Sequence, residues 1–502
     1  MIASILVIDL GSSACKAILF AKDGTVLAVA SEAYPTWHPD DVRAEQHPDD
    51  WWQATTKAVK LVLTSVESTV KVQGIGLTSQ RETVLPLDKE GHPLHPAILW
   101  MDKRGIEWVG EVGEVHQNQI QEWTGLVPGA SYSAGKIHWL KQQFPDLEQK
   151  TAFYVQPKDY LVFRLTGVMA TDRSLASRTM LYNIRSLDWQ DELLDALDLD
   201  RERLPEVHSP GSVIGVLRSQ VASEWGLQSG LPVVLGGGDR QCEVLGSGIT
   251  TGEAIESTGT TSNIACVVDD LAPYKSDRIA CSVHVVDGEW ILEQGMSTTG
   301  AAISWLHGLL DGNDDVRNVD DALRKSVPGA AGLIALPFFM GARAPRWNPN
   351  AQGAMMGLTL GHKVEDIYRA VLEGIGYELR YAIQTYEEIG LAISRIRLTG
   401  GGAGYDNWNQ TKASIYQKRL ASPKVLHAAA FGAFLLTARE LGWISSFEEG
   451  QKLNPLVSIY HPDSKEIPLY DVGYKLYMKM YDLFSDANMW EQIHTYRNMK
   501  VE

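Results

Sequence analysis

Apolar residues follow two rhythms along this chain. Short continuous runs such as "ILVIDLG" at 5–11 and "LPVVLGGGD" at 231–239 have the pattern of buried strands. By contrast, 50–66 ("DWWQATTKAVKLVLTSV") places its apolar residues at helical spacing, with Asp49 and Asp50 at the expected helix start. Segments 134–145, 157–166, 298–310, 365–389 and 472–485 are predicted helical as well. "TVLPLDKEGHPLHPAILW" predicts a strand pair around a Lys-Glu-Gly corner, and "RQCEVLGSGITTGEA" a helix, a short linker and the start of a second domain. Strands alternating with helices make the expected class α/β.

One pattern occurs twice. "ILVIDLGSSACKAILF" at 5–20 and "AIESTGTTSNIACVV" at 254–268 are each a β-run, a glycine with two small hydroxyl residues, and a second β-run. Asp-Gly corners follow in both halves, Asp23-Gly24 and Asp287-Gly288, a pair suited to tight hairpins. A glycine and hydroxyl tip exposes successive backbone N–H groups, which suits phosphate oxygens. Two such tips point to a polyphosphate ligand.

Composition sharpens this. A chain of 502 residues exceeds one ordinary core, so two domains are expected, divided as 1–247 and 248–502. The net charge of −17 disfavours nucleic acid and anionic membranes as partners. Cysteines 15, 242, 266 and 281 are scattered without a CxxC pair, arguing against a disulfide framework or a zinc site. No apolar run is long enough for a bilayer, and the opening "MIASILVIDLG" reads as a strand, so a cytoplasmic location is expected.

Asp9 and Asp239 both stand where a β-run ends. Alone, either would more simply cap the next element. Two at matched strand ends suit phosphoryl transfer, one carboxylate beside Mg²⁺ and the other accepting the proton of the attacking hydroxyl. Gln80, Arg81 and Glu82 follow an apolar strand and could hold vicinal hydroxyls, with Trp100 as an apolar wall; a surface ion pair and a core tryptophan are the plainer reading. Glycines 400–402 allow close approach to a flat ligand such as adenine, though a plain turn would also use them. "GASYSAGKI" at 129–137 fails as a Walker loop in spacing and at Ile137, and no stretch satisfies GxGxxG.

Here the residues meet a known pattern. "GAMMGLTLGHKVEDIYRAVLE" at 353–373, with "GGGD" at 236–239, "GTTS" at 259–262 and "TGGGA" at 399–403 in order, resembles the FGGY carbohydrate kinases of the actin/hexokinase/sugar-kinase superfamily nearly end to end. The resemblance implies two actin-like (ribonuclease H-like) domains with a cleft that closes against water, and a phosphotransferase acting on a small sugar or polyol with ATP and Mg²⁺. A filament- or chaperone-like ATPase is the alternative within that superfamily. Asp239 would be the catalytic base, with Asp9 and Asp239 serving magnesium. Ser12, Ser13, Lys16, Gly259, Thr260, Gly300, Ser304, Gly401, Gly402 and Tyr405 would surround ATP, and Gln80, Arg81, Glu82, Trp100, Asp239 and Arg240 the sugar. "QRET" and "ASRTMLYNIRSLDW" are similar to glycerol kinases, "GGGD" and "QPKDYLVFRLTG" to xylulokinases, while Ser131 and Arg240 match neither pattern. A homodimer is one assembly that relatives would suggest.

Overall fold

The computed structural model describes residues 1–40, 42–271, 276–309 and 319–499. They form two compact units: Met1–Gly248 with Cys281–Ile291 and His427–Pro455, and Ile249–Ala280 with Leu292–Leu426 and Leu456–Glu502.

The first unit is built on β1 (Ile2–Leu10), β2 (Ala14–Ala21), β3 (Val26–Ala33), β4 (Val70–Ser79), β5 (Val213–Val216) and β6 (Pro232–Val234), ordered β5-β6-β4-β1-β2-β3. β1, β4 and β6 run parallel; β2 returns antiparallel beside β1. The Asp23-Gly24 corner turns the chain into β3, Gly24 at φ +78° and the Thr25 N–H donating to Asp23 Oδ1 at 3.0 Å. Residues Ile5 to Ile8 are buried without alternation, as expected of a strand covered on both faces. Helix Pro48–Thr64 packs on β2 and β3, and helix Ala428–Glu440 on β1 and β4.

That second helix is where the structure departs from a simple division at residue 248. The apolar run "AAAFGAFLL" returns to the first unit, where Phe434 packs against Phe20 with ring centroids 4.9 Å apart. It also crosses helix Asp239–Ser247 at backbone contact. A Cβ on Gly432 would lie 1.9 Å from the carbonyl oxygen of Cys242, and one on Gly246 2.0 Å from that of Ala428.

The second unit repeats the scheme with β7 (Glu253–Thr258), β8 (Ser262–Val268), β9 (Trp290–Met296, in this unit from Leu292), β10 (Arg395–Thr399), β11 (Arg419–Pro423) and β12 (Leu456–Tyr460), six consecutive strands of a seven-stranded sheet in the order β9-β8-β7-β10-β11-β12. β7, β10 and β11 are parallel, while β8 and β12 are antiparallel to their neighbours β7 and β11. The α/β class and the internal repeat expected from the sequence are both present. The expected helices occur at Pro48–Thr64, Ser133–Gln143, Pro157–Thr166, Gly300–Leu309, Val364–Glu388 and Ile467–Asp486; residue 310, the expected end of one, lies outside the described residues. The Lys-Glu-Gly corner turns as expected and its flanks meet at two antiparallel bridges, Val84 with Ile98 and Leu87 with Pro93, while their longer ladders run elsewhere: Leu85–Leu87 with Phe153–Val155, and Ala97–Ile98 with Glu45–Gln46. Among the described residues no helix is long and apolar enough to cross a membrane.

Candidate active site

Because β1, β4 and β6 are parallel, their C-terminal ends share one edge of the sheet, the place where open α/β sheets hold ligands. β1 brings Asp9 and the Gly11-Ser12-Ser13 tip to that edge, β4 brings Gln80-Arg81-Glu82, and β6 leads through Gly236–Gly238 to Asp239. Hydrogen bonds tie the ends together: Gln80 N–H to Leu10 O at 2.9 Å, and Thr78 Oγ1 to Gly237 O at 3.0 Å. The glycines are a packing requirement, since a Cβ on Gly236 would sit 1.8 Å from Leu77 O.

Asp239 opens helix Asp239–Ser247, and its Oδ1 lies 3.4 Å from Arg81 Nε. Gly238 leaves room for the Arg81 stem, whose Cδ would be 2.7 Å from a Cβ there. The Asp239 side chain keeps 39% of its exposure, yet the surrounding protein desolvates it and raises its carboxyl above the usual range, while Arg81 and Arg240 pull the other way. Arg240 donates its backbone N–H to Asp239 Oδ1 at 2.7 Å, and its guanidinium pairs with Glu243 one turn on. It is therefore already matched to a carboxylate.

Asp9 is pushed up to about 7, first by burial, then by Asp239 and Glu243; Lys16, its cross-strand partner, opposes this. Burial opposes ionisation of both Asp9 and Asp239, and carboxylate oxygens are hard donors of the kind magnesium takes. Raising a carboxyl in the folded state stabilises at low pH and loses that stabilisation as pH rises from about 4 to about 7. Asp9→Asn should thus gain melting temperature over the parent protein above pH 7 in magnesium-free buffer, the gap closing toward pH 4. Melting curves from pH 4 to 8 check this, and a gap independent of pH would refute it.

The tip is braced from several sides. Trp100 Nε1 donates to Ser12 Oγ at 2.9 Å, Gln46 Nε2 to Ser12 O at 2.7 Å, and the Tyr34 hydroxyl to Gly11 O. Gln80 is 1% exposed. Glu82, at φ +67°, is buried, and its carboxylate accepts from Arg178 Nε at 2.6 Å. Its N–H donates to Gln156 Oε1 at 2.8 Å, and its carbonyl accepts from Lys136 Nζ at 2.8 Å. A non-glycine residue held in this region is strain that the surroundings must enforce. Lys136, from the rejected "GASYSAGKI", is fully buried, and burial brings its ammonium down to about 7. Sequence reasoning missed Arg178, Lys136, Gln156, Tyr34 and Glu243.

In the second unit the equivalent edge holds the tip after β7 and the glycine loop after β10. Thr258 pairs with Ser262, whereas Leu10 pairs with Cys15, so the first tip is one residue longer. Gly300 opens helix Gly300–Leu309 beneath this tip, its N–H donating to Gly259 O at 3.0 Å and that of Ala301 to Thr260 O at 3.2 Å. A Cβ on Gly300 would lie 2.4 Å from Gly259 O. Ser304 is exposed one turn into that helix, Gly401 faces open space, and half-buried Tyr405 precedes helix Asp406–Tyr416. Gly402 packs on Thr258. Below the tip, Lys412 Nζ lies 2.6 Å from Glu256 Oε1, both side chains 1% exposed, with Thr258 Oγ1 and Tyr416 Oη also donating to Glu256 at 3.0 Å.

Residues 4–246 match the N-terminal domain of the FGGY family of carbohydrate kinases, and 257–441 its C-terminal domain. A glycerol kinase of Thermococcus gammatolerans is 31% identical over 97% of this chain and 99% of its own. A xylulose kinase of Escherichia coli is 32% identical over 82% of this chain and 85% of its own. Among solved structures, ligand-bound xylulose kinase from Lactobacillus acidophilus aligns with a TM-score of 0.90 at 25% identity, covering 96% of this chain and 98% of that one. Plasmodium falciparum glycerol kinase with ADP aligns at 0.86 and 25% identity, covering 95% and 98%. In motif order, in both domain matches and in fold, this chain belongs to the FGGY family of carbohydrate kinases.

Proposed function

We propose that the protein transfers the γ-phosphoryl group of ATP to a hydroxyl of a small polyol or ketose, glycerol- or xylulose-like. The observation that carries this is the convergence of Asp239, Arg81, Asp9 and the Ser12-Ser13 tip at one sheet edge of the first unit. In this reading Asp239 accepts the hydroxyl proton at a carboxylate oxygen, and desolvation raises its proton affinity toward the working pH. Arg81 orients that carboxylate and a neighbouring sugar hydroxyl, Trp100 walls the carbon face, and Gln80 and Glu82 shape the pocket floor. Arg240, matched to Glu243, contributes its charge and its backbone N–H to Asp239 rather than a free fork. Asp9 and Asp239 would hold magnesium, which when bound neutralises charge on the transferring phosphate. Ser12, Ser13 and Lys16 lie beside the γ-phosphate, Gly259 and Thr260 hold the nucleotide phosphates, and Gly300, Ser304, Gly401, Gly402 and Tyr405 surround the nucleoside. The first unit would thus serve the sugar and the second ATP.

A coupled assay of ADP release over glycerol, erythritol, xylulose, ribulose and gluconate tests the reaction. At least one should raise the rate tenfold or more over the sugar-free blank, whereas ADP release indifferent to every sugar would overturn the reading. With the responding sugar, Arg81→Ala should raise KM by about 10–100-fold, the worth of a lost charged hydrogen bond, with a smaller change in kcat. An unchanged KM would remove Arg81 from the pocket.

A further inference from the structure

The opposite edge of the second unit's sheet, where its parallel strands begin, gathers positive charge that the kinase reading leaves unused. Glu253 starts β7, Arg395 starts β10 and Arg419 starts β11, and the pairing registers set Glu253 beside Arg395 and Arg395 beside Arg419. Arg397, two residues along β10, shares the face of Arg395. Three arginines and one carboxylate therefore stand on neighbouring strands at this edge. Glu253 is 9% exposed and takes both Arg395 and Arg397, the latter at 3.3 Å. Arg419 has no hydrogen-bond or ion-pair partner among the described residues, although its Nε is buried, and the Arg395 Nε is likewise buried without an acceptor. Like charges directly opposite on adjacent strands destabilise a sheet. The mutual repulsion shows in Arg395, whose proton affinity is lowered first by burial and then by Arg397 and Arg419. In a chain of net charge −17, carboxylates are abundant, yet among the described residues none is paired with Arg419.

We infer that this edge is a binding site for a phosphate dianion, free or carried on a small organic phosphate, held by Arg395, Arg397 and Arg419. The arginine fork matches the tetrahedral oxyanion with paired N–H donors, and a dianion supplies the anionic partner that Arg419 lacks among the described residues. The site lies at the opposite ends of the strands from Thr258–Thr261 and Gly400–Tyr405, so it is separate from the proposed nucleotide contacts and does not depend on their assignment.

Thermal shift with inorganic phosphate, against sodium chloride at equal ionic strength, tests it on the whole protein. Phosphate at 10 mM, a chosen condition well above an expected millimolar-range Kd, should raise the melting temperature by about 2–4 °C. Arg419→Gln should lose most of that shift while keeping the stabilisation given by ADP and magnesium, because phosphate bound among the nucleotide contacts would be untouched by this change. Arg419→Lys keeps the charge and stem but not the fork, and should weaken phosphate binding about tenfold, so the test survives if the glutamine variant does not fold. If glycerol 3-phosphate shifts the melting point further than inorganic phosphate at equal concentration, the site takes an organic phosphate; an equal or smaller shift identifies the free ion. A phosphate shift that is absent in the parent protein, or unaltered in both Arg419 variants, overturns the inference.

Discussion

Asp239→Asn is expected to lower kcat by about 10³-fold while leaving the affinity for ATP within about twofold. Asparagine keeps the volume and can still accept a bond from Arg81 Nε, 3.4 Å away in the parent protein. It cannot take a proton. Folding should be unimpaired, because Asp239 is a carboxylate whose ionisation burial opposes, and removing the charge removes that opposition. Steady-state rates with the responding sugar, together with ADP titration by calorimetry, separate the two effects. Turnover within tenfold of the parent would remove Asp239 as the base. Loss of nucleotide binding alongside turnover would instead mark a structural collapse at the start of helix Asp239–Ser247.

Lys412→Met is expected to cost about 3–5 kcal/mol of stability, the range found when one partner of a buried ion pair is deleted. Lys412 and Glu256 are each 1% exposed and 2.6 Å apart, so the methionine leaves a carboxylate in the core with only the Thr258 and Tyr416 hydroxyls for company. Thr258 ends β7 and leads into the Gly259-Thr260 tip, so the damage should reach nucleotide affinity as well. The double change Lys412→Met with Glu256→Leu removes both charges and should recover much of the loss. Urea unfolding of the single and double variants checks the first claim, and the Kd for ADP the second. A single variant within 1 kcal/mol of the parent would show that Glu256 can shed its charge or reach solvent.

Much of the fold could be read from residue pattern. The strands of "ILVIDLG" and "AIESTG", the glycine and hydroxyl tips, and the helices at 50–66 and 157–166 are local signals, each written within a few residues. Asp9, Arg81 and Asp239 were equally visible because each sits at the end of a β-run. The neighbours that fix them were not. Arg178 reaches Glu82 from 96 positions away and Lys412 reaches Glu256 from 156, and a buried lysine looks in sequence like any surface lysine. Lys136 shows this most clearly: its segment resembles a phosphate loop that fails in spacing, and the side chain instead satisfies the carbonyls of Glu82 and Ser131. The further partners of "TVLPLDKEGHPLHPAILW", Phe153–Val155 and Glu45–Gln46, were hidden for the same reason, since pairing at long range leaves no local mark.

The return of helix Ala428–Glu440 to the first unit has a consequence for synthesis. Until that helix emerges, β1 and β4 lack their cover on one face, and helix Asp239–Ser247 lacks the glycine-to-glycine crossing that seats it. At ordinary elongation rates the wait after residue 248 is on the order of tens of seconds. A nascent chain with its aliphatic sheet open for that long is a client for holding chaperones. The part of the molecule translated first is thus among the last to be finished.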